Sequence, residues 1–252
     1  MLLFIIFGLL SVSSIQALTI NEEIREAIES FKALMPSGSE SLGFPPLAPY
    51  QNEFLEFSYD NTSIRSYFNL TDFTVEGLNN FDIKVLEFFK LTSKLTYDLT
   101  FNEILVMGKY YGNGNLTLPG LDLEAYGLGD VFLLLQELRL NGSFRLLPNL
   151  KGLRMTHFKI DVSLGNVVSK FTGILHNKYA TLFFNRWLEE FLSMGINDKD
   201  NQQIVSDTIH DFVVPRVNGF LANYTLADLF KLVLGLGGGS NTNGERVFFN
   251  DD

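Results

Sequence analysis

Three histidines, His157, His176 and His210, are the residues of this 252-residue chain most suited to acid–base or metal chemistry, and they lie far apart in sequence. None stands in a nucleophile or metal-ligand pattern. His157 falls on the polar parity of its strand and His210 on the edge of a helical apolar stripe, so each reads as a surface or boundary residue. Asp198 and Asp200 match the start of a calcium loop only faintly, because no glycine or distal bidentate glutamate follows at the required offsets. Acids at a helix N-terminus are favoured by the helix dipole in any case. There is no G-x-S-x-G elbow, no H-E-x-x-H and no phosphate-binding loop. Gly112, Gly114, Gly127 and Gly129 lack the strand–helix context of a dinucleotide site and read as turns. The expectation is a protein without catalytic residues, metal or cofactor.

The residues that remain are apolar. The chain is 46% hydrophobic, with 24 Phe against nine Tyr and one Trp. Phe at that density fits either a Phe-rich core or a core that also lines a cavity. Candidate lining residues are Ile24, Ile28, Phe31, Phe68, Phe73, Tyr97, Leu99, Phe101, Met107, Phe132, Phe158, Trp187, Phe191, Ile209 and Phe212. The same residue types serve plain packing, and the sequence does not separate the two roles. Tyr97 and Trp187 each combine an apolar body with a polar tip that could fix a ligand's end.

A formal charge of −10 argues against nucleic acid and against an anionic membrane surface, both of which call for clustered Lys and Arg. Residues 1–17, MLLFIIFGLLSVSSIQA, read as a secretory signal peptide with its cut after Ala17; the apolar run is too short for a membrane span. Five Asn-x-Ser/Thr sequons, at Asn61, Asn69, Asn115, Asn141 and Asn223, agree with a secreted, extracellular glycoprotein. There is no cysteine, so no disulfide supports the fold.

The elements that would carry these residues are legible from their periods. Thr19 and Glu22 make a capping box, or Asn21 caps directly, ahead of a helix with Ile24, Ala27, Ile28, Phe31 and Leu34 on one stripe. The Pro-rich stretch Pro36 to Pro49 ends it and crosses to strands. Parity switches near Asp72, which predicts a bulge or bend, and Gly77 predicts a turn. Leu95, Tyr97, Leu99 and Phe101 alternate with Thr96, Asp98, Thr100 and Asn102, a strand with one buried and one wet face. Strand signal continues to Tyr111, with a turn expected at Gly112 to Gly114. Phe158, Ile160, Val162 and Leu164 form another clean alternation. Long strands with short turns and no βαβ spacing imply an antiparallel meander. A helix from Tyr179 to Met194 follows, with Gly195 at the C-cap. Then comes a long striped helix from about Asp198 to Tyr224, kinked at Pro215 and approaching about 40 Å at about 1.5 Å per residue. The tail from Gly235 to Asp252 is Gly-rich and reads as disordered. The domain division is therefore a signal peptide at 1–17, one hydrophobic-ligand-binding domain at 18–234 and a tail at 235–252.

The order of several short motifs resembles the insect juvenile-hormone-binding and takeout family. Gly43-Phe-Pro-Pro-Leu-Ala-Pro-Tyr50 is similar to its Pro-rich segment, and Val75-Glu-Gly-Leu78 to its strand ending in Gly-Leu. Gly108-Lys-Tyr-Tyr-Gly112, Leu116-Thr-Leu-Pro119 and Gly127-Leu-Gly129 resemble its central stretch, and Tyr224-Thr-Leu-Ala-Asp-Leu-Phe230 its closing motif. The resemblance covers roughly Asn21 to Val233. The family usually carries an N-terminal disulfide, which this chain lacks; the cysteine-free state is similar to that of the group-7 mite allergens. The resemblance implies an α+β fold of the tubular lipid-binding superfamily. In that fold a highly curved antiparallel sheet (a super-roll) wraps a long C-terminal helix, with an N-terminal helix and an internal apolar tunnel. It implies a secreted carrier for an extended hydrophobic small molecule: a juvenile-hormone-like terpenoid, a fatty acid or another lipid. The alternative is a protein-interaction or allergen-like structural protein with a filled core, acting through a protein partner or receptor.

Overall fold

The computed structural model describes residues 20–40, 45–60, 64–118, 121–149 and 152–225. The signal peptide, Asn61 and the tail lie outside these residues. Helix α1 spans 20–34. Seven strands follow: β1 (Tyr50–Asp60), β2 (Ile64–Glu76), β3 (Phe81–Phe89), β4 (Lys94–Leu118), β5 (Leu121–Pro148), β6 (Leu153–Ser163) and β7 (Asn166–Ser169). Helices α2 (Lys178–Asn197) and α3 (Gln202–Leu221) come last.

All seven strands form one curved antiparallel sheet, ordered β1-β2-β4-β5-β6, with β3 on β4 and β7 on β5. The organising pair is β4 and β5, 25 and 28 residues long, in register from Lys94↔Arg145 to Leu118↔Leu121. No turn forms at Gly112–Gly114; β4 runs through it, and Gly112 pairs with Gly127 inside the sheet. The missing side chains instead admit a returning segment. A Cβ on Gly129 would collide with Thr172, its backbone carbonyl included, so that position admits no larger residue, while one on Gly127 would push the side chains of Tyr110 and Ile174 aside.

The sheet buries opposite faces at its two ends. Around Leu95–Phe101 the apolar face is the one the alternation predicts, but its residues are half-buried and the stretch's buried residue is Asp98 on the other face. Beyond the Glu103–Gln136 hydrogen bond (2.9 Å) the apolar face is the opposite one: Tyr110 and Val131 join Leu70, Phe73 and Phe171 in a buried cluster. Bulges make this bending possible. The pairing slips between Thr71 and Thr74, where Asp72 takes φ 47°, as the parity switch there predicts.

Helices cover the sheet's free edges. Thr19 of the expected capping box lies outside the described residues; Asn21 stands within α1, where its Oδ1 accepts from Phe88 N–H at 2.7 Å, and Arg25 and Lys32 donate to the carbonyls of Ile83 and Phe81. Helix α1 is thus fastened along β3. On the far side, amide side chains take the place of a missing strand. Asn185 holds Phe171, Asn197 holds Leu164, Gln202 holds Val162 and Asn218 holds Met155, each by backbone N–H and C=O. An edge strand with unpaired backbone would otherwise template association.

Two 20-residue helices stand where the apolar stripe predicts one long rod preceded by a shorter helix. Gly195 lies inside α2 and Asp198 is the C-cap, its N–H bonding Met194 O. Asp198 Oδ1 then accepts from Asp200 N–H at 3.0 Å, holding the 198–201 turn before α3. Among the described residues no helix is long and apolar enough to cross a membrane.

Candidate ligand-binding site

Cross-strand register assembles an apolar floor. Phe88, Leu95 and Phe144 form one row; Leu86, Tyr97, Gly142 and Ile160 the next; Ile83, Leu99, Leu140 and Val162 the third; Phe81, Phe101 and Leu138 the fourth. Their exposure runs against the order of a filled core. Phe81, Leu86 and Phe88 on outer strand β3 are buried, as are Ile160 and Val162 on β6. Tyr97, Leu99, Phe101, Leu138, Leu140 and Phe144 on the two central strands are only half-buried. The helices explain the difference. Lys32 of α1 sits 4.7 Å over the Phe81 ring, while Val213, Val214 and Val217 of α3 pack, with Phe144, Leu146 and Phe158 of the sheet, against the buried cluster of Leu153, Met155 and Leu221. Each helix covers one side and leaves a trough between them over β4 and β5.

Tyr97 supplies a polar group on that floor. Its hydroxyl would lie 2.7 Å from a Cβ on Gly142, so it occupies the gap that the glycine leaves. Burial, with Asp161 nearby, pushes its pKa up to about 12. The phenol therefore stays protonated and able to donate. Opposite it through the sheet, Asp98 is buried on the wet face and held by Arg139 Nε at 2.8 Å. That hydrogen bond holds its carboxyl below the usual carboxylate range, against the opposing effect of burial.

The other sequence-predicted residues separate into groups. Ile24, Ile28 and Phe31 are half-buried on α1, and Ile209 is half-buried on α3. Phe158 joins the α3 cluster, its ring 6.1 Å from that of His210. Phe68 and Phe73 belong to the cluster on the opposite face, away from the trough. Met107 and Phe132 pair across β4 and β5 beyond Glu103, with the Lys170 amine 5.2 Å from the Phe132 ring. Phe212 is exposed, with the Arg216 guanidinium 3.8 Å above it.

Trp187 and Phe191 are not on the floor. They stack at 5.1 Å on an exposed α2 stripe that also holds Tyr179, Phe183 and Met194. Leu138, Leu140 and Phe144 are floor residues that the candidate set missed; their shared parity was visible, but only the pairing with Leu95–Phe101 gives it meaning. Among the described sequons, Asn115, Asn141 and Asn223 are exposed, while Asn69 is half-buried with its amide donating to Tyr67. Among the described residues no three His, Cys, Asp or Glu side chains gather to hold a metal.

A single curved antiparallel sheet flanked by helices defines the class as α+β. The chain belongs to the haemolymph juvenile hormone binding protein family, whose profile matches residues 8–231. The crystal structure of Epiphyas postvittana Takeout 1 shares the fold. It is 15% identical, with a TM-score of 0.52, covering 79% of this chain and 91% of that one. A structure of lipopolysaccharide binding protein is far more distant, at 13% identity and a TM-score of 0.32, covering 67% of this chain and 35% of that one. A sequence search of curated proteins finds no match.

Proposed function

We propose that this protein is a secreted carrier that holds one extended hydrophobic small molecule in the trough between α1 and α3. The observation that carries the reading is an inverted burial on the floor: Tyr97, Leu99, Phe101, Leu138 and Leu140 of the two central strands are half-buried, while Phe81, Leu86 and Phe88 of β3 and Ile160 and Val162 of β6 are buried. Membership of a family of hydrophobic-ligand binders supports it. Apolar transfer contributes about 25 cal/mol per Å², so covering a few hundred Å² supports micromolar affinity or better. Tyr97 orients the ligand by donating to an ester, carbonyl or carboxylate oxygen. A terpenoid, a fatty acid or a related lipid fits this combination. The N-terminal apolar segment directs export, and the exposed sequons carry glycans.

Organic extraction of the purified protein followed by mass spectrometry should recover a long apolar molecule. The delipidated protein should bind a fluorescent fatty-acid probe, and Leu99→Arg should abolish that binding. An empty protein that also fails to bind such probes would overturn the carrier. The outward stripe on α2 favours a second reading, a protein-interaction surface; in that case Phe183→Asp would abolish partner binding and leave probe binding intact.

A further inference from the structure

On the wet face of the sheet, at the end where β3 turns into β4, basic side chains gather around a cleft of about 190 Å³. It is lined by Lys94, Ser143, Phe144, Arg145, His157 and Lys159. Three features set it apart. Lys94 and Arg145 are direct cross-strand partners, an arrangement of like charges that destabilises a sheet. Among the described residues, no carboxylate pairs with Lys94, Arg145 or Lys159. This is so in a chain of net charge −10, where acids to neutralise them are plentiful.

Backbone geometry contributes as well. The β5–β6 register slips between Ser143↔Lys159 and Arg145↔Thr156, and His157 at the slip takes φ 52°. The extra residue lets Phe158 join the α3 cluster while His157 and Lys159 both line the cleft. Bulges commonly re-aim side chains in this way beside binding sites.

We propose that this cleft binds a phosphate group. Three fixed cations with a serine hydroxyl match a dianionic oxyanion better than a single carboxylate, and an arginine fork beside lysine point charges suits tetrahedral phosphate. Lys94, Ser143 and Arg145 stand on the face of β4 and β5 opposite Tyr97 and Leu99, and of the cleft's lining only Phe144 also belongs to the apolar floor. Its phosphate comes from a soluble ligand or a lipid headgroup.

The test is thermal unfolding and calorimetry of the full chain with sodium phosphate, against sodium chloride at equal ionic strength. Phosphate should raise the Tm by several degrees more than chloride. In phosphate-free buffer, Arg145→Gln should raise the Tm by relieving the repulsion from Lys94, and it should remove the response to phosphate. An Arg145 serving only structure would instead lower the Tm when replaced. Sedimentation with phosphatidylcholine vesicles containing phosphatidic acid locates the phosphate. Arg145-dependent binding places it on a lipid, and binding of inorganic phosphate alone places it on a soluble molecule. Equal stabilisation by chloride and phosphate, or a phosphate response that survives Arg145→Gln, overturns the proposal.

Discussion

Asn185 grips both backbone groups of Phe171: its Oδ1 accepts from the N–H at 2.7 Å and its Nδ2 donates to the carbonyl at 2.9 Å. One side chain on α2 thus does the work of a paired strand on a buried edge. Asn185→Ala strands the backbone of Phe171, itself buried, at a cost on the order of 1–3 kcal/mol per unsatisfied group. Chemical denaturation should show the loss. Amide exchange at Phe171 should accelerate more than exchange on β4.

The trough separates binding from stability. Leu99→Arg should reduce probe affinity at least tenfold while shifting stability by less than about 1 kcal/mol, because a half-open site lets the guanidinium reach water. Ile160→Ala, on a buried strand beside it, should behave oppositely and lose about 2–4 kcal/mol with a smaller change in affinity. Equal effects from both would mean a filled core.

Removing the Tyr97 hydroxyl tests the donor. Tyr97→Phe should weaken a ligand bearing a carbonyl oxygen by about 1 kcal/mol, roughly fivefold, and leave a pure hydrocarbon probe unaffected. The folded pKa of about 12 lies above the ordinary value of 10.0, so folding favours the neutral phenol. That contribution is complete below about pH 10 and is lost as pH rises towards 12. Tyr110 behaves alike, raised to about 12 by burial, with its hydroxyl on the Thr172 carbonyl at 2.7 Å. Ultraviolet titration should find two tyrosines ionising late.

Asp98 runs in the other direction. Arg139 lowers its folded pKa below 3.8, so its contribution is present above that value and is lost as pH falls through the folded pKa. Asp98→Asn should cost on the order of 1–2 kcal/mol at pH 7 and progressively less as the pH falls below 3.8 towards the lowered folded pKa. Parallel denaturation curves across this pH range read the difference.

Trp187 is the chain's one tryptophan and is 45% exposed on α2. Acrylamide should quench it readily in the delipidated protein. Loading with ligand should leave its emission unchanged, because α2 packs through Phe184 and Leu188 on the cluster of the opposite face, whereas a blue shift with protection would bring α2 into the site.

Much of this architecture is legible in local pattern. The alternation of Leu95–Phe101, the bulge at Asp72, the turn at Gly77 and the apolar helices follow from side-chain period and backbone sterics, which act within a few residues. Local pattern misled where glycine was concerned: Gly112 and Gly127 read as turns because their long-range neighbours, each other and Ile174, are invisible in sequence. The stripe of α3 likewise reads past Asp198 because periodicity carries no information about the turn at 198–201.

The sequence by itself determined the composition of the molecule: broad apolar faces on strands and helices, and the motif order of its family. Only the tertiary structure decided which faces stay open. Leu99 and Ile160 are both apolar residues on alternating strands, and nothing local tells them apart. Their difference arises because α3, fastened by Asn218 and Gln202, covers β6 and leaves the centre of the sheet half-open. The same holds for Lys94 and Arg145, ordinary surface cations 51 residues apart until strand register sets them face to face. Burial and charge proximity are properties of pairs distant in sequence, so only the folded chain fixes them.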